Sequence, residues 1–372
     1  MNITRIETIP VRVPINPSVA IRAGGGGAHL VSPFLIVKVH TDEGIVGLGE
    51  VSCTPRWSGE DQFSAAHFIN TYFAPLLVDQ DPMQEIEHLT SRFVFPVAGN
   101  PFTKAAVEMA LWDIRGKALG KPVYELLGGR VRDFVPTKWS VSGQPPKQAA
   151  EIAVGAVARG FRKMKVKVGI EPQQDVARVR AVREAVGGDI TIGVDANGGW
   201  STDDAIRTSR LLAELDIQFV EQPVAPGDPI AMSQVRREAG LPIIADESVY
   251  TLKDARLLAQ MQSCDVFSIY VGKAGGILPA RRIAEYAASI GLRCTIGSNL
   301  EMGIGSAAMV HLGLATKAIT AEQYACDIIG PLYYEDELLV EALPVKPGEA
   351  RAFHRPGLGV ELDEQKVARY RI

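Results

Sequence analysis

Short apolar runs rich in Val and Ile recur along the second half of the chain. Each stops at a polar or charged residue before a helical pattern takes over. FRKMKVKVG (161–169), IGVDANGGW (192–200), FVEQPV (219–224), IIADES (243–248) and VFSIYVGKAGG (266–276) are the clearest. A β-branched run, a charge and then apolar residues at helical spacing describe a buried parallel strand with its βα turn. The strand ends carry Lys165 and Lys167, then Asp195, Glu221, Asp246 and Tyr270. From Lys167 onward they lie 28, 26, 25 and 24 residues apart, about one βα unit. The pattern predicts strands at 134–142, 161–168, 190–195, 217–221, 242–246, 265–270, 292–297 and 318–322, with seven helices between them. A right-handed βα repeat of this number closes into a barrel. An open doubly wound sheet would need a Gly-rich turn after its first strand, and none follows 134–142.

Residues 1–130 read differently. ITRIETIPVRVPI alternates, PFLIVKVHTDEGIVGLGE reads as a hairpin about Asp42–Gly44, and helical patterns fill 61–79, 83–94 and 101–120. This predicts an α+β unit with an antiparallel meander ahead of a barrel at 131–325. The last segment, 326–372, is expected to pack back on the first unit. Two loops interrupt the N-terminal unit. IRAGGGGAHLV holds four successive glycines, 24–27, and reads as a flap, because no strand enters it and no Lys-Ser/Thr follows. VSCTPRWSGED (51–61) has Arg56 and Trp57 at its tip.

The composition, 372 residues with 47% hydrophobic and 22% charged, is that of a globular protein. A formal net charge of −4 without a basic run argues against nucleic acid as a partner. No stretch of 18 apolar residues is present, so no segment is expected to span a bilayer. The N-terminus alternates where a secretory signal would be continuously apolar. Cys53, Cys264, Cys294 and Cys326 are scattered without a CxxC spacing, which argues for reduced thiols in the cytoplasm and against a thiolate zinc site.

In a βα barrel the C-terminal strand ends face the site. Asp195, Glu221 and Asp246 then converge from strands 3, 4 and 5, and three anions in one pocket need a counter-charge. Oxygen ligands without His or Cys favour Mg²⁺, with Mn²⁺ as the alternative, over zinc. For any one of these carboxylates a helix cap or a surface ion pair is the ordinary explanation; the matched spacing of all three favours the metal. Lys165 and Lys167 share one strand face. Crowded ammonium groups depress each other's pKa, so a lysine here can serve as a neutral base near pH 7. Lys163 shares that face nearer the strand start.

KVK, DAN, EQP, ADES and KAGG, with PGLGVELDE near the C-terminus, resemble the enolase superfamily, and more narrowly its muconate lactonizing enzyme subgroup. The resemblance covers nearly the whole chain. It implies an α/β fold: a modified TIM barrel, (β/α)7β, under an N-terminal α+β capping domain completed by the C-terminal segment. It implies Mg²⁺ on Asp195, Glu221 and Asp246, and removal of the proton α to a carboxylate to give a metal-stabilised enediolate. Lys167 matches the family's acid/base and Lys165 its electrostatic support. The mandelate racemase subgroup instead uses a His after strand 7, where this chain has IGSNLEMG (296–303). Glu301 matches an acidic position of the muconate group, and Asn299 stands beside it.

One position departs from the pattern. The muconate group usually carries a second lysine at the end of strand 6, where this chain has Tyr270; Lys273 matches a later, non-catalytic lysine. Two readings of Tyr270 stand: a donor on the face opposite Lys167, or a group that only shapes the pocket. Ordinary two-lysine racemisation is put in doubt, whereas one-base chemistry is untouched. The expected activity is therefore a muconate-type cycloisomerase or an epimerase of a small carboxylic acid. An acid-sugar or hydroxy-acid dehydratase, and a catalytically silent metal-binding barrel, are the alternatives. Specificity in the family comes from the two capping loops, making Arg22, His29, Arg56 and Trp57 candidates, each also readable as an ordinary surface residue. Ser140 and Ser142 end strand 1 on one face, Asn197 is placed to steady the metal shell, and Glu247 points away by alternation or turns in with its loop. The family's habit of assembly implies a homo-oligomer, a dimer or an octamer.

Overall fold

The computed structural model describes residues 1–22 and 30–372. Strands Ile3–Pro14, Val31–Thr41 and Val46–Ser52 form the antiparallel meander that the alternation predicts. The long helix Pro101–Leu119 lies against the third of these strands. Contact is close because Gly47 and Gly49 present no side chain; a Cβ on either would collide with the carbonyls of Ala110 and Ala106. The pattern at 61–79 resolves into helix Gln62–Phe68, a π turn Ile69–Phe73 and a short helix Ala74–Leu77. Asp61 opens it with a capping box on Ser64.

Seven parallel strands follow in sequential order: Trp139–Val141, Lys163–Lys167, Thr191–Asp195, Ile217–Glu221, Ile243–Ala245, Val266–Ile269 and Arg293–Ile296. The strand expected over 134–142 divides in two. Val135–Pro136 joins a small sheet with Val345–Lys346 and Glu349–Ala350, and only Trp139–Val141 enters the barrel.

The eighth strand does not lie at 318–322, which forms turns. Closure comes a few residues later. Cys326 N donates to Pro136 O at 2.8 Å, Lys138 N to Cys326 O at 3.0 Å and Asp327 N to Ile296 O at 2.8 Å, joining the first strand to the seventh. The run AEQYACDII has too few β-branched residues to read as a strand, yet its backbone closes the sheet.

Two carboxylates from the N-terminal unit fasten it to the barrel. Glu108 accepts from Ile277 N at 2.8 Å and Leu278 N at 3.0 Å, at the start of helix Ile277–Ser289. Glu50 accepts from Met302 N at 2.8 Å and Gly305 N at 3.0 Å, at the start of helix Gly303–Ala315. Both satisfy backbone donors that a helix leaves open at its N-terminus. The C-terminal segment returns to the N-terminal unit through Leu358 N to Asp113 Oδ1 at 2.8 Å and Ile372 N to Pro10 O at 3.1 Å. No described helix is long and apolar enough to cross a membrane.

Candidate active site

Register brings the strand-end residues together. Lys167 pairs with Asp195, and Asp195 with Glu221, across three adjacent strands. Alternation sends Met164, Val166 and Val168 into the hydrophobic core, while Lys165 and Lys167 project from the other face of the strand. Lys167 Nζ donates to Asp195 Oδ2 at 2.6 Å and to Asn197 Oδ1 at 3.0 Å. Lys165 Nζ meets Glu221 Oε1 at 2.8 Å, Asp195 Oδ2 at 3.2 Å and Asp327 Oδ2 at 2.9 Å. Lys163, by contrast, is half-buried and donates to Glu322 O at 2.6 Å, away from this group.

Asp246, one residue past its strand, is gripped from strand 6. Tyr270 Oη donates to Asp246 Oδ2 at 2.6 Å, and Lys273 Nζ donates to Oδ1 at 2.5 Å and to the Asp246 carbonyl at 2.6 Å. The Lys273 ammonium also sits 4.1 Å from the centre of the Tyr270 ring. Tyr270 is fully buried. Glu247 turns in with its loop: Asn197 Nδ2 donates to its Oε1 at 2.8 Å. The turns after these strands are strained. Asn197, Gln222 and Leu300 hold φ of +44°, +35° and +57° without being glycine. Gln222 uses that conformation to accept from Asp246 N at 3.0 Å and Ser248 N at 3.2 Å, fixing the turn that carries Asp246.

Electrostatics separate the two lysine-facing carboxylates. Burial opposes ionisation of Asp195, but Lys167 and Lys165 outweigh it and hold the carboxyl well below its usual range. Glu221 goes the other way: burial, with Asp195, Asp246 and Asp327 nearby, pushes it up to about 8 against the pull of Lys165. Burial, Asp246 and Asp195 push Glu247 up to about 7. Burial disfavours the Lys165 ammonium, yet Asp327, Glu221 and Asp195 prevail and raise its pKa well above the ordinary lysine value. These neighbours favour the charged form of Lys165, opposite to the effect of crowding by Lys167 alone. Burial, then Asp246 and Glu247, push the Tyr270 phenol well above its usual range.

Among the described residues no three His, Cys, Asp or Glu stand together as a finished metal cage. The donor set nevertheless fits a hard divalent cation. Among the described residues Glu221 Oε2 is buried with no hydrogen-bond partner, as is Glu247 Oε2, and Glu221 resists ionisation because it is buried and other acids crowd it. A cation bound by oxygen ligands would remove both costs.

The loop candidates divide. Ser142 Oγ accepts from Arg22 N at 2.8 Å, tying the start of the first capping loop to the end of strand 1; Arg22 itself is exposed. His29 and the glycines 24–27 lie outside the described residues. Arg56 is exposed and Trp57 half-buried, with the Trp57 carbonyl accepting from Tyr250 Oη at 3.2 Å. Ser140 pairs with Lys165 between the first two strands. Asn299 is a tether: its Nδ2 donates to Thr54 Oγ1 at 2.7 Å, holding the second capping loop. Glu301 is buried and accepts from Ser298 Oγ at 2.6 Å. Sequence reasoning missed Asp327, Lys138 and Gln222. Asp327 hangs on the closing strand that was placed too early, Lys138 stands just before the first barrel strand, and the EQP motif contains Gln222.

The chain matches the family described as Enolase C-terminal domain-like over residues 148–366. It matches Mandelate racemase / muconate lactonizing enzyme, N-terminal domain, over residues 5–128. It is 35% identical over 369 residues to the N-succinyl-L-Arg/Lys racemase of Bacillus cereus, covering 99% of this chain and 97% of that one. It is 33% identical over 329 residues to an L-Ala-D/L-Glu epimerase of Clostridium acetobutylicum, covering 88% and 90%. The crystal structure of a muconate lactonizing enzyme from Pseudomonas fluorescens complexed with muconolactone superposes with a TM-score of 0.94 at 31% identity, covering 100% and 99%. With both halves matched, the chain belongs to the mandelate racemase/muconate lactonizing enzyme family of the enolase superfamily, in its muconate lactonizing enzyme subgroup.

Proposed function

We propose that this isomerase or lyase moves the proton α to the carboxylate of a small organic acid with Lys167, working on one face of the substrate. One observation carries the choice of face: the strand-6 position holds Tyr270, fully buried, with its hydroxyl committed to Asp246 at 2.6 Å. That leaves Lys167 Nζ, at the mouth of strand 2 between Asp195 and Asn197, as the group that exchanges a proton with the substrate.

The family generally uses a divalent metal ion. Here Asp195, Glu221 and Asp246 would hold Mg²⁺, or Mn²⁺ in its place, and the bound ion supplies positive charge where negative charge develops on the substrate. Lys165 adds a second fixed positive charge, anchored by Glu221, Asp195 and Asp327. In lactone formation a substrate carboxylate oxygen adds to a double bond, and the Lys167 ammonium gives its proton to the α carbon. Run in reverse, the Lys167 amine takes that proton back. A syn elimination uses the same single group, which takes the α proton and returns it to the departing hydroxide. Cycloisomerisation is the preferred net reaction. Epimerisation through a Lys167–Tyr270 pair is the second reading, favoured by the similarity to the racemase and epimerase relatives.

A screen in D₂O with Mg²⁺ separates these. It covers muconates, N-substituted amino acids, proline derivatives and sugar acids, read by NMR and mass spectrometry. One-face chemistry predicts a net product with deuterium on a single face. Deuterium accumulating with inversion at the α carbon, and no other product, would sink the one-base reading. The four cysteines are free, buried thiols, which supports a cytoplasmic setting. We infer assembly into a homo-oligomer, dimer or octamer, from membership of this family.

A further inference from the structure

Lys138 is a buried cation that no step above uses. It lies immediately before the first barrel strand and is 2% exposed. Its Nζ donates to Ala325 O at 2.5 Å and lies 3.0 Å from Asp327 Oδ2, with the Phe219 ring 5.9 Å away. The same Asp327 oxygen accepts from Lys165 Nζ at 2.9 Å. One carboxylate oxygen is therefore shared by two buried ammonium groups, while Asp327 Oδ1 has no partner among the described residues. Lys165 divides its own three donors among Asp327, Glu221 and Asp195.

Three acceptors can share one ammonium evenly only if none of them is left as an uncompensated buried anion. Without Lys138, Asp327 would be such an anion, with Lys165 as its nearest cation. We propose that Lys138 is a positioning residue: by compensating Asp327 it keeps Lys165 Nζ against Glu221 and Asp195. The catalytic consequence rests on the reading of Lys165 given above; the structural one does not. Lys138 touches Asp327 and Ala325, so it acts on the reaction only through these neighbours.

The test is Lys138→Met, which keeps the stem and removes the charge. In its crystal structure the 2.8 Å contact between Lys165 Nζ and Glu221 Oε1 is expected to open beyond hydrogen-bonding range, past about 3.5 Å. With an acid turned over in the D₂O screen, kcat is expected to fall on the order of 10-fold, the scale of losing an outer support, with KM changed less than about threefold. Lys138→Met combined with Asp327→Asn removes charge and counter-charge together and leaves an amide oxygen for Lys165. This double variant should recover most of the loss and return Lys165 to Glu221. It also carries the test if the single variant fails to fold. Lys165 unmoved in the single variant would overturn the proposal. So would a rise in KM matching the fall in kcat, or a double variant no better than the single one. If the wild type exchanges no acid at all, the functional reading fails, while the Lys165 distance still decides the role of Lys138.

Discussion

Replacing Tyr270 by Phe removes one oxygen and keeps the ring that Lys273 covers. The lost bond is short, runs to a carboxylate and is fully buried. Hydrogen bonds to charged groups are worth about 1.5–3 kcal/mol, which is about 10- to 100-fold in an equilibrium constant. Lys273 still grips the other oxygen and the backbone of Asp246, so the carboxylate stays anchored. The expected effect therefore sits at the low end: Mg²⁺ affinity falls on the order of 10-fold, as for other outer-shell partners of metal ligands. At saturating Mg²⁺, kcat should return to within severalfold of wild type, because the variant has lost no proton-transfer group. The assay is the Mg²⁺ dependence of turnover, checked by Mn²⁺ titration followed by electron paramagnetic resonance. A kcat lowered by about 10²–10⁴ at saturating metal, with metal affinity unchanged, is the signature of a lost acid or base. That result would refute the argument and make Tyr270 the partner of Lys167.

Two further predictions concern Lys167 and the Glu108 anchor. Lys167→Ala should lose about 10²–10⁴ in turnover and abolish solvent deuterium exchange while still binding Mg²⁺; full turnover would end the assignment of Lys167. Glu108 is raised to about 7 by burial, against the pull of the backbone donors of Leu278 and Ile277 and of the Trp112 indole. The native state then holds this proton more tightly than the unfolded chain. Its contribution to stability declines as pH rises from about 4.5 to about 7, by about 3 kcal/mol as an upper bound. Thermal melts across that window should show Glu108→Gln losing this part of the slope, and an unchanged slope would count against it.

The strand-end residues were legible because burial on both faces forces near-continuous β-branched runs, and a charge at the end of such a run stands out. Lys167, Asp195 and Glu221 are accordingly in register where the spacing puts them. The closing strand was not legible, since residues 324–328 close the sheet with a few backbone bonds and little periodicity. Asp327 was lost with it. Lys138 was hidden differently: it falls inside the run 134–142 that reads as a single strand, and only the closed barrel shows it buried against Asp327. Asn299 sits where a substrate contact would sit, but its amide is spent on Thr54. Nothing in the sequence around Glu50 and Glu108 marks them as anchors between the two units. Their burial depends on which barrel helix starts beneath them, and no local pattern encodes that.

Those two glutamates bear on how such a protein can diversify. Helices Ile277–Ser289 and Gly303–Ala315 have no side-chain cap from their own N-cap residues, Gly276 and Met302. Their caps arrive from the front half of the chain. A recombinant gene that grafts a foreign front half onto this barrel, without an acid at both points, would strand four backbone N–H groups in the interior. Inheritance of the two halves is thereby coupled. Shuffling of whole domains is penalised at the seam, whereas a substitution that spares Glu50 and Glu108 leaves these four caps in place.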